Sequence, residues 1–190
     1  MSNYQMNENT LILVGCEGNS EKYYMEILLE ADKLVFSKTD LFEEEILEKT
    51  FNQKLGKYLE SSVLSMDFGT RDVHLLLIQD NDVSLKIKAL YKEKLNMIVK
   101  VITTPEIEML AIHHFGLFQK YTNQKKSNWR KPSKFLADEL GMKASRIKSK
   151  QFIKATFDGD CLVTAIKAYA SKNKQKYKGK DDIRLVDILK

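Results

Sequence analysis

The sequence predicts an α/β protein in which helices pack against a parallel sheet. Short apolar segments of strand length alternate, along the first 118 residues, with segments of helical periodicity. This alternation is typical of a chain that folds around a parallel sheet. Carboxylates directly follow two of the apolar segments, at the positions where open parallel sheets place their ligands. The same strand ends therefore suggest both the fold class and a site.

The first elements are predicted near the N-terminus. The sequence TLILVGC at Thr10–Cys16 is a short apolar run, typical of a strand that is buried on both faces. A helix is predicted from Ser20, which is a suitable N-cap with an acidic residue after it. The apolar LVF at Leu34–Phe36 is interpreted as a second short strand, and the apolar spacing over Asp40–Tyr58 predicts another helix.

The middle of the chain contains the clearest strand, VHLLLIQ at Val73–Gln79, which ends at an Asp-Asn-Asp sequence. The sequence SLKIKALYKEKL has helical spacing and leads into a further strand at Met97–Thr103. Thr104-Pro105 is expected to open the next helix, because the first helical position tolerates the missing N–H of proline. That helix is predicted to extend to about Phe118.

Beyond residue 118 the chain becomes basic. Residues 1–118 contain 12 Lys and Arg against 19 Asp and Glu, a net charge of −7, whereas residues 119–190 contain 19 against 7, a net charge of +12. We interpret residues 1–118 as an α/β core and residues 119–190 as a basic, mainly helical extension packed on that core. This asymmetry suits an enzyme that binds a polyanion, and solvated lysine-rich helices are the alternative. Helices are predicted near Ser133–Leu140, Ala144–Ala155 and Asp160–Ser171, with a short final helix in IRLVDILK.

Acidic residues follow two of the predicted strands. Glu17 comes directly after the first strand, and Asp80 and Asp82 come after Val73–Gln79. The carboxyl ends of parallel strands meet at one edge of a sheet, so these side chains are expected to lie close together. Mg²⁺ prefers oxygen ligands and can polarise a phosphodiester and activate a water molecule. The alternative is that these acids only cap turns or helices.

These segments resemble motifs of the Toprim domain. EGNSE at Glu17–Glu21, followed by two tyrosines in a helix, is similar to the first Toprim motif, and LLLIQDND is similar to the second, a hydrophobic strand that ends in DxD. TPEIEML, followed by His113-His114, is similar to a segment of the RloB-like and OLD-type branch, which is linked to bacterial phage defence and abortive infection. The resemblance covers about Leu11–Gly116.

The resemblance implies a Rossmann-like fold with a mostly parallel four-stranded sheet, and phosphodiester hydrolysis on DNA or RNA with Mg²⁺ or Mn²⁺. Glu17, Asp80 and Asp82 would be catalytic and would hold the metal together with Glu108, with Glu106 as the alternative position for this further acid. OLD-type nucleases normally carry an ATPase domain, which these 190 residues do not include. An ATPase encoded nearby is therefore an expected partner, a homodimer stays open, and a non-catalytic nucleic-acid-binding or ATPase-partner module is the alternative function.

Basic and aromatic residues of the extension are predicted to contact the nucleic acid. A tryptophan among cations can stack on a base while the cations hold phosphates, and cations on one helix face can follow a phosphate backbone. The alternative is a solvated loop with its tryptophan anchored on the core. The predicted contacts are Lys125, Lys126, Trp129, Arg130, Lys131, Lys143, Arg146, Lys148 and Lys150.

The composition indicates an ordinary soluble protein, with 43% hydrophobic and 30% charged residues. Two cysteines without a CxxC pattern, and a polar start without a secretory signal, favour the cytoplasm. No apolar run approaches the length of a membrane span, so no membrane partner is expected.

Overall fold

Four parallel strands form the centre of the fold. The structure is a computed structural model that describes residues 4–51, 54–80, 85–172 and 182–190. Within these ranges the strands form one sheet in the order β1-β2-β3-β4, and every neighbouring pair is parallel. The strands are β1 Thr10–Cys16, β2 Asp72–Gln79, β3 Met97–Ile102 and β4 Asp182–Arg184.

The first three strands end level with one another. Cys16 at the end of β1 is opposite Ile78 of β2, and Gln79 at the end of β2 is opposite Ile102 of β3. The hydrogen-bond ladder continues one step further, because the Glu17 N–H donates to the Ile78 carbonyl and the Thr103 N–H donates to the Gln79 carbonyl. The residues that follow the three strands therefore leave the sheet side by side.

Helices cover both faces of the sheet, which explains why the strands are apolar along their whole length. The larger core lies on the face covered by α1, α4, α6 and α9, and the smaller core lies under α2. The helices are α1 Asn19–Glu30, α2 Leu55–Tyr58, α3 Ala89–Lys92, α4 Met109–His114, α5 Phe118–Thr122, α6 Pro132–Glu139, α7 Ala144–Ile147, α8 Lys150–Thr156 and α9 Gly159–Lys172.

Close packing on the smaller core requires a glycine in β1. Leu55 of α2 and Leu77 of β2 are fully buried there, together with Leu13. A Cβ atom at Gly15 would lie only 2.7 Å from Leu55 Cδ2 and 3.3 Å from Leu77 Cδ2. Glycine therefore lets α2 approach the sheet closely.

The α/β class and a four-stranded parallel sheet are confirmed, and so are the strands β1, β2 and β3. The prediction of a strand at Leu34–Phe36 is wrong, because Leu34 makes only an isolated bridge to Leu189. The fourth strand is β4, which overlaps the start of the sequence predicted as a final helix and is followed by a 3₁₀ turn, Leu185–Ile188. Only three residues of β3, Lys100–Ile102, pair with β4, so this strand has too few residues for a local strand signal.

Other predicted helices are shorter than expected. Over Asp40–Tyr58 the described residues form short 3₁₀ turns and then α2, because Glu43 and Glu44 have positive φ angles of 54° and 58°, which interrupt a helix. Pro105 does not open a helix: it follows a cis peptide bond in a turn, and α4 begins only at Met109. The described residues of SLKIKALYKEKL, 85–95, contribute only the single turn of α3.

Residues beyond 118 complete the sheet and the larger core. Besides β4, they provide α6 and α9, which pack against α4, and α8, which packs against α1. The helix predicted at Ala144–Ala155 is divided into α7 and α8, since the Ser149 hydroxyl caps α8 by accepting a hydrogen bond from the Phe152 N–H. No helix in the described ranges is both long and apolar enough to cross a bilayer.

Candidate functional site

The acids that follow β1 and β2 meet at the strand ends. Glu17 Oε2 accepts a hydrogen bond from the Asp80 backbone N–H at 2.8 Å. Both residues are half-buried. Because β1 and β2 are paired to their last residues, side chains that are remote in sequence are held next to each other. The structure therefore brings together two of the three acids that the sequence predicted for the site.

The end of β3 orients Asp80. The Thr103 hydroxyl donates a hydrogen bond of 2.5 Å to Asp80 Oδ1, and the Thr104 hydroxyl donates one to the Asp80 carbonyl oxygen. Burial raises the pKa of Asp80 to about 8, although the bond from Thr103 favours the charged form. The nearby carboxylates of Glu21, Glu108 and Glu17 raise this pKa further.

Glu21, in the first turn of α1, is a site residue that the sequence analysis did not identify. Its side chain is buried, and Oε2 accepts a hydrogen bond of 3.0 Å from the Gly18 N–H. Burial raises the pKa of Glu21 to about 7, and Glu108 and Glu17 contribute to that rise. Glu21 is the third residue of α1 after the Gly18 N-cap, a position from which a glutamate accepts the N-cap N–H, and this position was the available signal.

Glu108 lies at the start of α4 and is only 1% exposed. Within the described residues no hydrogen bond of ordinary geometry reaches its side-chain oxygens, although the nearby Ser20 hydroxyl stabilises its charged form. The Lys148 ammonium lies 3.7 Å from Glu108 Oε1. Burial raises the pKa of Glu108, and Lys148 opposes this rise. By contrast, Glu106 accepts a hydrogen bond of 2.9 Å from the Ser133 N–H of α6, so its carboxylate is engaged there.

Glu17, Glu21, Asp80 and Glu108 form what we call the acid cluster. Their electrostatic coupling shows in the raised pKa values of Glu21 and Asp80, where burial is the largest cause and the other acids add to it. Lys148 faces the same carboxylates: burial lowers its pKa, but Glu108, Glu106, Glu21 and Asp80 more than offset this. Several carboxylates in a poorly solvated place favour a bound cation.

A hard divalent cation matches the donor type of the acid cluster, because Mg²⁺ and Mn²⁺ prefer carboxylate oxygens. No group of three or more His, Cys, Asp or Glu side chains is placed to hold a metal ion, as far as the described residues show. Asp82, the third predicted ligand, lies outside those residues. The described part therefore supplies Glu17 and Asp80 as adjacent oxygen donors, with Glu21 and Glu108 beside them.

Buried polar groups surround the acid cluster. The Tyr24 hydroxyl on α1 and the Gln79 amide at the end of β2 are buried and have no hydrogen-bond partner in the described part of the chain. Burial raises the pKa of Tyr24, and so do Glu108 and Glu21, which places this hydroxyl near the acids. Buried polar groups without partners are uncommon in native proteins, and an ordered water or a bound ion would satisfy these two.

Three of the predicted nucleic-acid contacts are engaged by the protein's own acids. Lys148 faces Glu108, Lys150 lies 2.7 Å from Glu26, and Arg130 lies 2.8 Å from Asp138. Arg130 also lies over the Phe135 ring, and Lys150 over the Tyr23 ring. These three cations therefore have structural contacts that the sequence analysis did not foresee.

The remaining predicted contacts are exposed: Lys125, Lys126, Trp129, Lys131, Lys143 and Arg146. Trp129 is 55% exposed, so more than half of the residue is accessible to a ligand. The loop beneath it is held by the Gln124 side chain, whose Oε1 accepts hydrogen bonds from the Arg130 N–H and Nε. An exposed indole among cations, on a loop that hydrogen bonds fix in place, can stack on a nucleic-acid base while the cations contact phosphates.

The fold and the acid cluster define the chain as an α/β protein with a parallel sheet and acids at the edge formed by the carboxyl ends of its strands. A comparison with models of protein families gives no match, and curated proteins and solved structures show no significant similarity to the chain.

Proposed function

We propose that this chain is a Toprim-like nuclease that hydrolyses phosphodiester bonds of DNA or RNA with Mg²⁺ or Mn²⁺, and that it acts in phage defence. The observation that carries the proposal is the contact between the Glu17 carboxylate and the Asp80 N–H at 2.8 Å. It joins the two segments that resemble the first and second Toprim motifs at the edge where parallel sheets bind ligands.

In this proposal Asp80 and Asp82 hold the metal, Glu17 acts as ligand or general acid/base, and Glu108 is a further acid. When bound, the cation would polarise the phosphodiester and lower the pKa of a water molecule. The chain itself fixes Asp80 through Thr103, as the 2.5 Å hydrogen bond indicates. Glu21 keeps the turn before α1 in place through the Gly18 N–H.

The substrate surface in this proposal is the exposed loop that carries Trp129, with Lys125, Lys126 and Lys131 around it. The loop connects to the acid cluster through the hydrogen bond from the Ser133 N–H to Glu106, two residues before Glu108. A cytoplasmic location, an ATPase partner and a homodimer stay predictions.

The test is hydrolysis of end-labelled DNA and RNA by the purified chain with Mg²⁺ or Mn²⁺. Glu17→Gln and Asp80→Asn should each abolish cleavage, because each removes one carboxylate charge from the proposed site. Glu30→Gln is the matched control, since Glu30 lies on α1 and contacts only Lys154 at 3.0 Å among the contacts described. Intact nucleic acid with wild-type protein, or equal cleavage by wild type and both variants, would contradict the proposal.

A second candidate is a nucleic-acid-binding or ATPase-partner module without turnover. It is favoured by the lysine that already faces Glu108. This candidate predicts binding that weakens with salt but does not respond to metal or to Glu17→Gln. Co-purification of an ATPase without affinity for nucleic acid would select the partner role.

A further inference from the structure

We propose that Lys148 is an internal counter-ion of the acid cluster, which balances Glu108 in the metal-free protein and is displaced when a divalent cation binds. This inference rests on the proposed function. Lys148 was predicted from the sequence as a nucleic-acid contact, yet its ammonium lies 3.7 Å from Glu108 Oε1. This ion pair partly neutralises the negative charge of the acid cluster in the metal-free protein.

Glu108 needs a cation because of its surroundings. The residue is 1% exposed, and beyond the Ser20 hydroxyl, which stabilises its charged form, the described part of the chain offers its carboxylate little compensation. An ionised carboxylate in such a place is strongly destabilising unless an opposite charge compensates it. Within the described residues, Lys148 is the cation that forms an ion pair with Glu108.

Lys148 is placed so that its ammonium can leave while its backbone stays. It lies between α7 and α8, where the side chains of Ile147 and Ile153 are fully buried and fix the two helices. The Lys148 side chain itself is 43% exposed. Four flexible methylene groups can carry the ammonium from Glu108 into solvent or onto a phosphate without a change in the fold.

The neighbouring lysines show what an ordinary pair looks like in this region. Lys154 of α8 contacts Glu30 of α1 at 3.0 Å, and both side chains are exposed. Exposed pairs of this kind contribute little to stability because water screens them. Lys154→Gln is therefore a matched control for Lys148→Gln: the same substitution, at a lysine paired with a glutamate that lies outside the acid cluster.

The first test is thermal unfolding in EDTA. Lys148→Gln should lower the Tm by several degrees relative to wild type, because it leaves Glu108 buried without a counter-ion, whereas Lys154→Gln should change the Tm by about a degree or less. The double variant Lys148→Gln/Glu108→Gln should recover most of the loss. Equal Tm values for the two single lysine variants would overturn the counter-ion role.

The second test is titration with Mn²⁺ by calorimetry. With the competing ammonium removed, Lys148→Gln should bind Mn²⁺ at least about tenfold more tightly than wild type, while Lys148→Arg, which keeps the charge, should bind like wild type. Equal or weaker binding by Lys148→Gln would overturn displacement. No Mn²⁺ binding by wild type or by Lys148→Gln would instead contradict the metal site of the proposed function, so the two failures are distinguishable.

Discussion

Replacing Asp80 with asparagine is expected to stabilise the metal-free protein at neutral pH. Burial, together with the neighbouring carboxylates, raises the pKa of Asp80 from 3.8 to about 8. Between these values the folded protein keeps a proton that the unfolded chain releases, so the free energy of unfolding falls as pH rises. The fall is about 1.4 kcal/mol per pH unit, which gives up to about 4 kcal/mol between about pH 4 and pH 7.

Asparagine carries no charge, and its side-chain oxygen can still accept the hydrogen bond from the Thr103 hydroxyl. The Asp80→Asn variant should therefore lose most of this slope and be more stable than wild type at pH 7. Urea denaturation in EDTA, at intervals of about one unit from about pH 5 to pH 8, measures the free energy of unfolding of both proteins. Asp67→Asn, at an exposed carboxylate that accepts the Gly69 N–H at 2.9 Å, is the control and should leave the slope unchanged.

An Asp80→Asn variant with the same slope and the same stability as wild type at every pH would refute this reasoning. That result would mean that water solvates the Asp80 carboxylate in the folded protein, so that its ionisation has no effect on folding. Adding Mn²⁺ provides a second test of the role of Asp80. A cation that binds the ionised carboxylate should restore the stability of wild type at pH 8, and it should have much less effect on Asp80→Asn.

Three further substitutions test other parts of the site. Glu21→Gln should also reduce the pH dependence of the free energy of unfolding, over the narrower range from pH 4.5 to about 7. The variant should be up to about 3 kcal/mol more stable than wild type at neutral pH in EDTA, and an unchanged urea midpoint at pH 7 would contradict this prediction. Thr103→Val should lower the rate of nucleic-acid cleavage and cost about 1 kcal/mol of stability, because Asp80 loses its hydrogen bond; full activity would show that Thr103 does not orient the acid. Trp129→Ala should weaken binding of a fluorescent single-stranded oligonucleotide by about tenfold without lowering the Tm, since the indole is exposed; unchanged anisotropy titrations would exclude stacking.

The strands and the first pair of acids could be predicted because their signals are local. Runs of apolar residues in β1 and β2 are long enough to identify buried strands, and parallel pairing places the residues after them at one edge. The contact between Glu17 and Asp80 follows from that pairing alone. No knowledge of the helices is needed to anticipate it.

The rest of the site depends on packing that leaves no local pattern. Glu108 is buried because α4 packs against α6 and α9, and Lys148 reaches it only because the chain ends α7 at that point. In the sequence, Lys148 is one of several lysines between residues 143 and 154, and no local pattern distinguishes it from the others. The strand β4 is similar: three residues form a strand because the edge of β3 is available to them.

Glu17 is the residue at which a structural role and a chemical role can be separated. A structural role needs only an oxygen that accepts the Asp80 N–H at 2.8 Å, and the amide of glutamine provides one. A role as metal ligand or general base needs the negative charge. Glu17→Gln should therefore fold with a Tm close to that of wild type in EDTA, lose the stabilisation that Mn²⁺ gives to wild type, and fail to cleave nucleic acid. If Glu17→Gln keeps both the Mn²⁺ response and the cleavage, the carboxylate serves only to hold β1 and β2 together at their ends, and the role of Glu17 as metal ligand or general acid/base is refuted.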